Sequence, residues 1–493
     1  MYNRNDIGLH LVSHFSSIFS FSNPVLTGLD DLFTPVITSS ENDLLCLIPD
    51  EYEIWMAVSD LGSDKSLGSD GMTGLFYKTY WKIVKHNVIR FIKSFFRHGH
   101  LLKSFNHTHL ALIPKVSNPN KVSQFRPISL GNFIFKVISK ILANRLKPLL
   151  HKIISPNQSA FLQGRSIHDN SILAHEIFHS MKKKKGNGGL MAIKLDMEKA
   201  FDRMEWSFLL RIFSLLGFSP KWLQLVEQCI STASFSILLD GSPFGMFISS
   251  RGLRQGDPLS PFLFILGSEA LSRLIVRAEN HGFINGIKIS RDSPRISYLL
   301  FVDDLMFFAK ASTSEASIIL DCLTTYLQWS GQNINFQKSS IFFSLNSHHN
   351  AIANIKSILN LQQISPRAKY LGLPLFVNKT KKRAFEDIKA NILSRITGWK
   401  AKLLSQAART TLIKFVANAT PVYTMSLFLL PKAIWLDIDS SLRKFWWGYP
   451  QEKKHCLSLM GWNKICAPRC FGGLGLRQME FLNFDVAVRP WVF

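Results

Sequence analysis

The sequence predicts an α+β chain, and three observations carry that expectation. Apolar residues recur at helical spacing, as in Trp81, Val84, Val88, Ile89, Ile92, Phe95 and Phe96, which marks a stripe buried on one helix face. Short runs of aromatic and branched residues between polar turns read as strands. The helical pattern fills most of residues 1–105, whereas strands and helices share the chain beyond it.

Composition narrows the function classes. A chain of 493 residues with 46% hydrophobic residues has room for two to four domains and a large core, which excludes a disordered protein. Lys and Arg number 58 against 34 Asp and Glu, a net charge of +24. A core-rich chain this basic meets a polyanion. The excess is too dispersed for a lipid-binding patch. Six cysteines without CxxC spacing suggest reduced thiols, and Cys466 with Cys470 has no second pair to complete a zinc site. No apolar run approaches transmembrane length and the N-terminus lacks a leader pattern, so the chain reads as soluble, in nucleus or cytoplasm, with no membrane partner.

In order along the chain, the Gly62–Gly71 stretch is a Gly/Ser/Asp loop. Its backbone N–H groups could hold an anion, but a plain connector is the commoner outcome. Leu110–Lys115 and Phe125–Leu130 read as strands carrying Lys115 and Arg126, and a helix with interleaved cations follows from Phe133 to Leu150. Lys182–Gly189 reads as a charged loop. Met191–Leu195 is a strand that delivers Asp196 at its end, and Trp206, Leu209, Leu210, Phe213 and Leu216 mark a helix closed by Gly217. The polar block Arg251–Pro261 offers two starts for the helix that follows, Asp257-Pro258 and Ser260-Pro261. A helix from about Ser314 to Trp329 precedes a loop and strand over Gln332–Ser339.

The Arg295–Ala309 stretch contains the most informative pair. Asp303 and Asp304 interrupt an otherwise apolar run, which reads as two buried strands joined by a tight turn. Carboxylates at the edge of an apolar core need a shifted pKa, a cation or a metal. Alone, the pair fits an ordinary surface turn better than a site. With Asp196 ending a neighbouring strand, three carboxylates become able to hold two divalent cations for in-line phosphoryl displacement, and their hard oxygens favour Mg²⁺.

The strings Lys194–Asp202, Arg251–Pro261 and Phe301–Asp304 stand in the order found in reverse transcriptases. Supporting blocks are Leu112–Lys115, Phe125–Leu130, Gln158–Phe161, Ser330–Asn335, Tyr370–Pro374, Phe445–Gly448 and Gly472–Gly475. Taken together, nearly the whole chain resembles the reverse transcriptase of plant LINE-type (non-LTR) retrotransposons. The resemblance implies a right-hand polymerase of fingers, palm and thumb, with a split βαβ, ferredoxin-like antiparallel palm sheet. It implies a helical N-terminal extension over 1–105, fingers and palm over 106–345, primer grip and basic helical thumb over 346–450, and a truncated segment over 451–493.

Residue by residue, the resemblance makes Asp196, Asp303 and Asp304 the carboxylates for two Mg²⁺ ions, with the Met197 carbonyl beside them. Lys338 approaches the leaving pyrophosphate. Lys115 and Arg126 grip the incoming deoxynucleoside triphosphate. Phe201 is the gate that excludes a 2′-hydroxyl, and Gln255 and Gly256 pack on the nascent base pair. Tyr370–Pro374 resembles the primer grip, and the cations Lys379, Lys381, Lys382, Arg383, Lys389, Arg395, Lys400, Lys402, Arg409 and Lys414 suit a duplex backbone of RNA template and DNA primer. Trp446 and Trp447 read as packing residues.

Two departures qualify this. Val302 stands where the family usually has alanine. Lys65-Ser66-Leu67-Gly68-Ser69-Asp70-Gly71 lacks both prolines of the family's loop, a change expected to loosen it. Without flanking endonuclease, RNase H or zinc-binding segments, the chain reads as the polymerase portion of an element. An alternative reading is an inactive or domesticated nucleic-acid-binding remnant, favoured by the lost prolines and missing flanks and opposed by the intact carboxylates and the intact Arg251–Pro261 block.

Overall fold

The computed structural model describes residues 3–186, 188–376, 385–397, 403–451 and 457–488. The chain divides into two compact units. The first runs to Asn170 and resumes from Ser180 to Gln363, and the second comprises Ser171–His179 with the chain from Ile364 onward.

In the first unit, helices α1 (Arg4–Ile18), α2 (Ser39–Cys46), α3 (Glu51–Asp60), α4 (Gly74–Thr79) and α5 (Trp81–His98) precede the first strand. Their ends follow local chemistry. Thr38 and Glu41 form a reciprocal capping box on α2, and Gly99, in the left-handed region at φ +62°, closes α5. The apolar stripe of α5 turns inward as the spacing predicts, with Val88, Ile92, Phe95 and Phe96 buried. Next come β1 (His107–Pro114), β2 (Phe125–Gly131), α6 (Phe133–Leu146), α7 (Leu150–Ile153) and α8 (Ile167–Lys183). Lys182 and Lys183 belong to the last turn of α8 rather than to the loop the sequence suggests. Cations there suit the helix's negative end.

The chain continues through β3 (Leu190–Leu195), α9 (Ala200–Arg203), α10 (Trp206–Leu215), α11 (Pro220–Ser231), β4 (Ser234–Leu239), β5 (Ser242–Ile248), α12 (Ser260–Asn280), β6 (Tyr298–Phe301), β7 (Asp304–Lys310), α13 (Thr313–Ser330), β8 (Ser340–Phe343), α14 (His349–Leu359) and β9 (Gln362–Gln363). Two boundaries differ from expectation. Neither Asp257 nor Ser260 caps α12; Leu259 does, and its N–H donates to Asp257 Oδ1 at 3.1 Å and Ser139 Oγ at 3.1 Å. Gln332–Ser339 makes only an isolated bridge, Ile334 to Met197, and the strand begins at Ser340. Its polar side chains suit a loop edge better than a buried sheet.

Two sheets result, one ordered β2-β1-β4-β5 and one ordered β6-β7-β3-β8-β9. The second is antiparallel except for the β8–β9 pair. Its apolar side chains, including Met191, Ile193, Leu195, Leu305, Phe307 and Ile341, share one core with α3, α5, α6, α10, α12 and α13. Helices α2, α3 and α5 are therefore part of the same core as these strands, while Leu11, Phe15 and Ile18 of α1 pack in a smaller cluster with Phe235, Ile237 and Phe247. The Ser66–Gly71 stretch, without its prolines, is pinned by Asn132, whose Oδ1 accepts from Ser69 Oγ at 3.0 Å and Asp70 N–H at 3.1 Å.

The second unit contains a hairpin of β10 (Lys369–Tyr370) and β11 (Leu373–Pro374), turned at Leu371-Gly372, both at positive φ. Its helices bury Ile392, Ile396, Ile413, Met425, Ile434, Ile438, Leu442 and Phe445 in a separate core. Trp446 is buried and meets Trp447 edge to face at 4.8 Å, a packing arrangement. Lys389 pairs with Asp437 at 3.2 Å and Arg395 donates to Thr420 Oγ1 at 3.1 Å. Lys379, Lys381, Lys382, Arg383, Lys400 and Lys402 lie outside the described residues. Among the described residues, no helix is long and apolar enough to cross a membrane.

Candidate active site

The sheet order explains how distant acids meet. β3 and β7 run antiparallel with Leu195 opposite Leu305, so the next step beyond that pair sets Asp196 across from Asp304. β6 and β7 form a hairpin in which Phe301 pairs with Asp304, leaving Val302 and Asp303 as its two turn residues. All three carboxylates thus sit at one end of one sheet. Val302 occupies the left-handed region at φ +58°. For a β-branched residue this is strained backbone, a cost of about 1–3 kcal/mol that surrounding contacts must offset.

The charges at this sheet end oppose one another. Burial raises the Asp303 carboxyl above its ordinary value; Asp196 adds to the rise, while Arg126 and Lys338 act against it. Burial likewise pushes Asp304 up to about 6, reinforced by the neighbouring Asp303 and by Asp196 and countered by Lys194 and Lys338. Lys338 Nζ lies 3.6 Å from Asp196 Oδ2. The backbone of Asp196 is fixed by its N–H donating to Ser339 Oγ at 3.1 Å and its carbonyl accepting from Asn335 N–H at 2.8 Å.

The donor set fits a hard divalent cation. The pKa values of the two desolvated carboxyls stay raised despite Arg126, Lys194 and Lys338 nearby, so their charge is only partly compensated. The bonds flanking the Met197–Ile334 bridge use the Asp196 carbonyl and the Glu198 amide, so this ladder does not consume the Met197 carbonyl. Among the described residues, no group of three or more His, Cys, Asp and Glu side chains is placed to hold a metal ion by itself.

Cations approach the same region from the other sheet. Lys115 directly follows β1, and Arg126 pairs with Ile113 across β1 and β2. The Lys115 ammonium is shifted down by burial first, then by the charges of Lys338 and Arg126, with Asp202 and Asp196 opposing. Gln255 Nε2 donates to Asp202 Oδ1 at 3.1 Å, and the Gln255 carbonyl accepts from Ser129 N–H of β2 at 3.0 Å. Gly256, at φ +103°, takes a conformation that a side chain would strain. Phe201 is half-buried and stacks on Phe264 with ring centres 4.6 Å apart. Its carbonyl accepts from Leu253 N–H at 2.7 Å, joining the Lys194–Asp202 and Arg251–Pro261 blocks.

That second block is anchored by two buried ion pairs. Arg251 meets Glu205 at 3.1 Å and Arg254 meets Asp257 at 3.2 Å. Arg254 also stacks over the Phe135 ring at 3.9 Å.

Sequence reasoning assigned no role to three residues that the structure brings forward. Asp202 is buried beneath Gln255, its carboxyl pushed up to about 6 by burial. Lys199, at φ +51°, lies 2.9 Å from His14 Nε2, and burial lowers its ammonium to about 8. Gln158 reaches the Val302 turn. All three sit inside blocks that carry the resemblance, so their positions were marked although their surroundings were not.

Comparison with known proteins accords with this geometry. The family model described as "Reverse transcriptase (RNA-dependent DNA polymerase)" matches residues 113–375, more than half of the chain. The chain is 26% identical over 398 residues to an uncharacterized 149 kDa protein of transposon TX1 from Xenopus laevis, covering 80% of this chain and 30% of that protein. It is 57% identical over 67 residues to an uncharacterized mitochondrial protein of Arabidopsis thaliana, covering 14% and 55%. It is 28% identical over 244 residues to the Pol polyprotein of a type-1 retrotransposable element R2 from Nasonia vitripennis, covering 49% and 22%. The chain thus spans 22% to 55% of the length of these relatives. With the matched segment holding all three carboxylates and the strands that bring them together, the chain belongs to the reverse transcriptase family.

Proposed function

We propose that this chain is an RNA-directed DNA polymerase of a LINE-type, non-LTR element, extending a DNA primer on an RNA template. The observation that carries the proposal is the meeting of Asp196, Asp303 and Asp304 at one end of the β6-β7-β3-β8 sheet. That strand order, with helices between β3 and β6 and α13 between β7 and β8, supports reading the sheet as a ferredoxin-like palm. The sheet holding β1 and β2 then corresponds to fingers, and the second unit to primer grip and thumb.

Asp196, Asp303, Asp304 and the Met197 carbonyl would hold two Mg²⁺ ions, which stabilise the attacking and leaving oxygens of the displacement. The chain's own groups orient the substrate. Lys115 and Arg126 bind the triphosphate, and Lys338 neutralises charge toward the leaving pyrophosphate once substrate competes for its contact with Asp196. The Phe201 ring, fixed by Phe264, stands against the sugar and favours deoxynucleotides. Gln255 and Gly256 form a rigid edge for the new base pair, because Asp202 and Ser129 hold that loop in place. The +24 charge supports a nucleic-acid partner. A nuclear or cytoplasmic location accords with that role.

Primer extension on an RNA template with Mg²⁺ and deoxynucleoside triphosphates tests the proposal. Extension is expected from the native chain and none from Asp303→Ala, Asp304→Ala. Extension surviving in that double variant overturns the assignment.

A further inference from the structure

The strained turn that presents Asp303 and Asp304 is held from outside its own hairpin. Residues Asn157–Ser159 lie along the free edge of β6, where Gln158 forms a parallel bridge with Leu300. Leu300 N–H donates to the Asn157 carbonyl at 2.9 Å, Ser159 N–H donates to the Leu300 carbonyl at 3.1 Å, and Asn170 Nδ2 donates to the same carbonyl at 2.7 Å. From this edge the buried Gln158 side chain reaches past the end of β6. Its Oε1 accepts from Val302 N–H at 3.2 Å and from Ala160 N–H at 3.0 Å.

The segment is itself braced. Arg165 Nη1 donates to the Ser155 carbonyl at 2.6 Å and the Gln158 carbonyl at 2.5 Å. Glu269 accepts from Ser155 N–H at 2.9 Å and Ser155 Oγ at 2.8 Å. A buried acceptor on a rigid mount is therefore aimed at the amide of the residue in the left-handed region, immediately before the carboxylate pair.

We infer that Gln158 is a positioning residue, a clamp whose amide oxygen fixes the Val302 turn and so sets Asp303 and Asp304 for the reaction. The inference rests on reading those acids as the reacting platform. It is independent of the fold, which needs no such contact to pair β6 with β7. Gln158→Met keeps length and removes the acceptor. Val302→Gly removes the strain, since glycine adopts positive φ without a steric penalty.

The test is a double-mutant cycle in primer extension, with thermal unfolding and amide exchange measured on each variant. Gln158→Met is expected to lower kcat on the order of ten- to a hundredfold, as displaced catalytic groups do, with KM for deoxynucleotide changed less than about twofold. Exchange at the Val302 amide rises at least about tenfold while the β3–β7 amides stay protected. In the Val302→Gly background the kcat loss shrinks to about threefold or less. Unchanged kcat, equal losses in both backgrounds, or exchange that rises across the whole sheet overturns the clamp. Should Gln158→Met fail to fold, Gln158→Asn, one methylene short of the turn, enters the same cycle. Extension persisting in Asp303→Ala, Asp304→Ala instead indicts the platform reading, whereas unchanged Val302 exchange in Gln158→Met sinks the clamp alone.

Discussion

Replacing Asp304 by asparagine should make the protein more stable at neutral pH while stopping its chemistry. In the folded chain, burial and the neighbouring Asp303 move this carboxyl from 3.8 to about 6. Holding it ionised at pH 8 therefore costs about 3 kcal/mol at 1.36 kcal/mol per pH unit, and partial solvent access reduces this to about 1–3 kcal/mol. The folded state binds the proton more tightly than the unfolded chain does. The protonated carboxyl's contribution is thus complete below about pH 4 and lost as pH rises through about 6. Asp304→Asn escapes that loss. Urea unfolding in a chelating buffer should give equal stabilities for native and variant chains near pH 4 and a gap of about 1–3 kcal/mol, favouring the variant, at pH 8. Adding Mg²⁺ should stabilise the native chain at pH 8 and leave the variant nearly unmoved, because the metal supplies the compensation its carboxylates lack. A variant no more stable than the native chain at pH 8 without metal would refute the reasoning from desolvation and like charge.

Arg251→Met strands Glu205, fully buried beside it, and should cost about 3–5 kcal/mol in urea unfolding. Phe201→Ala should raise ribonucleotide use relative to deoxynucleotide on the order of tenfold in single-nucleotide extension; an unchanged ratio removes Phe201 from sugar selection. Lys115→Ala should raise KM for deoxynucleotide about tenfold, the effect of losing one charge-assisted contact of about 1.4 kcal/mol, with template-primer affinity by filter binding unchanged.

Much of the sheet that carries the three acids was legible because its signals are local. The apolar runs on either side of Asp303 and Asp304 announce a hairpin, and the aliphatic stretch Met191–Leu195 announces the strand that ends at Asp196. The pairing of Leu195 with Leu305 is a different matter. It joins segments far apart in sequence, and only the recognised order of blocks made their proximity expected. The left-handed Val302 left no trace, since a β-branched residue is the last type its sequence would suggest there. Capping rules placed the start of α12 at Asp257 or Ser260, because they count side-chain caps within the helix's own segment; here the chain-distant Ser139 joins Asp257 in serving Leu259. Gln158 stood inside a recognised block, yet its acceptor serves an amide 144 residues away, which no local pattern encodes.

The way α1 ends bears on where this protein can be divided. The Phe19 carbonyl accepts from Ser250 N–H at 2.9 Å and Arg251 N–H at 3.2 Å, Arg251 Nε donates to the Ile18 carbonyl at 2.8 Å, and Ser22 donates to Glu205 from both its N–H and Oγ. Gly252 has no room for a Cβ between the Phe19 ring and the Asp202 carbonyl. Residues outside the span that the family model matches thus form the wall behind the loop carrying Gln255. A gene trimmed to codons 113–375 would encode the Lys194–Asp202, Arg251–Pro261 and Phe301–Asp304 blocks and still leave an ion pair open to water. The span that the family model matches is shorter than the span whose contacts brace the site, and recombination that shuffles one without the other would deliver carboxylates without that brace.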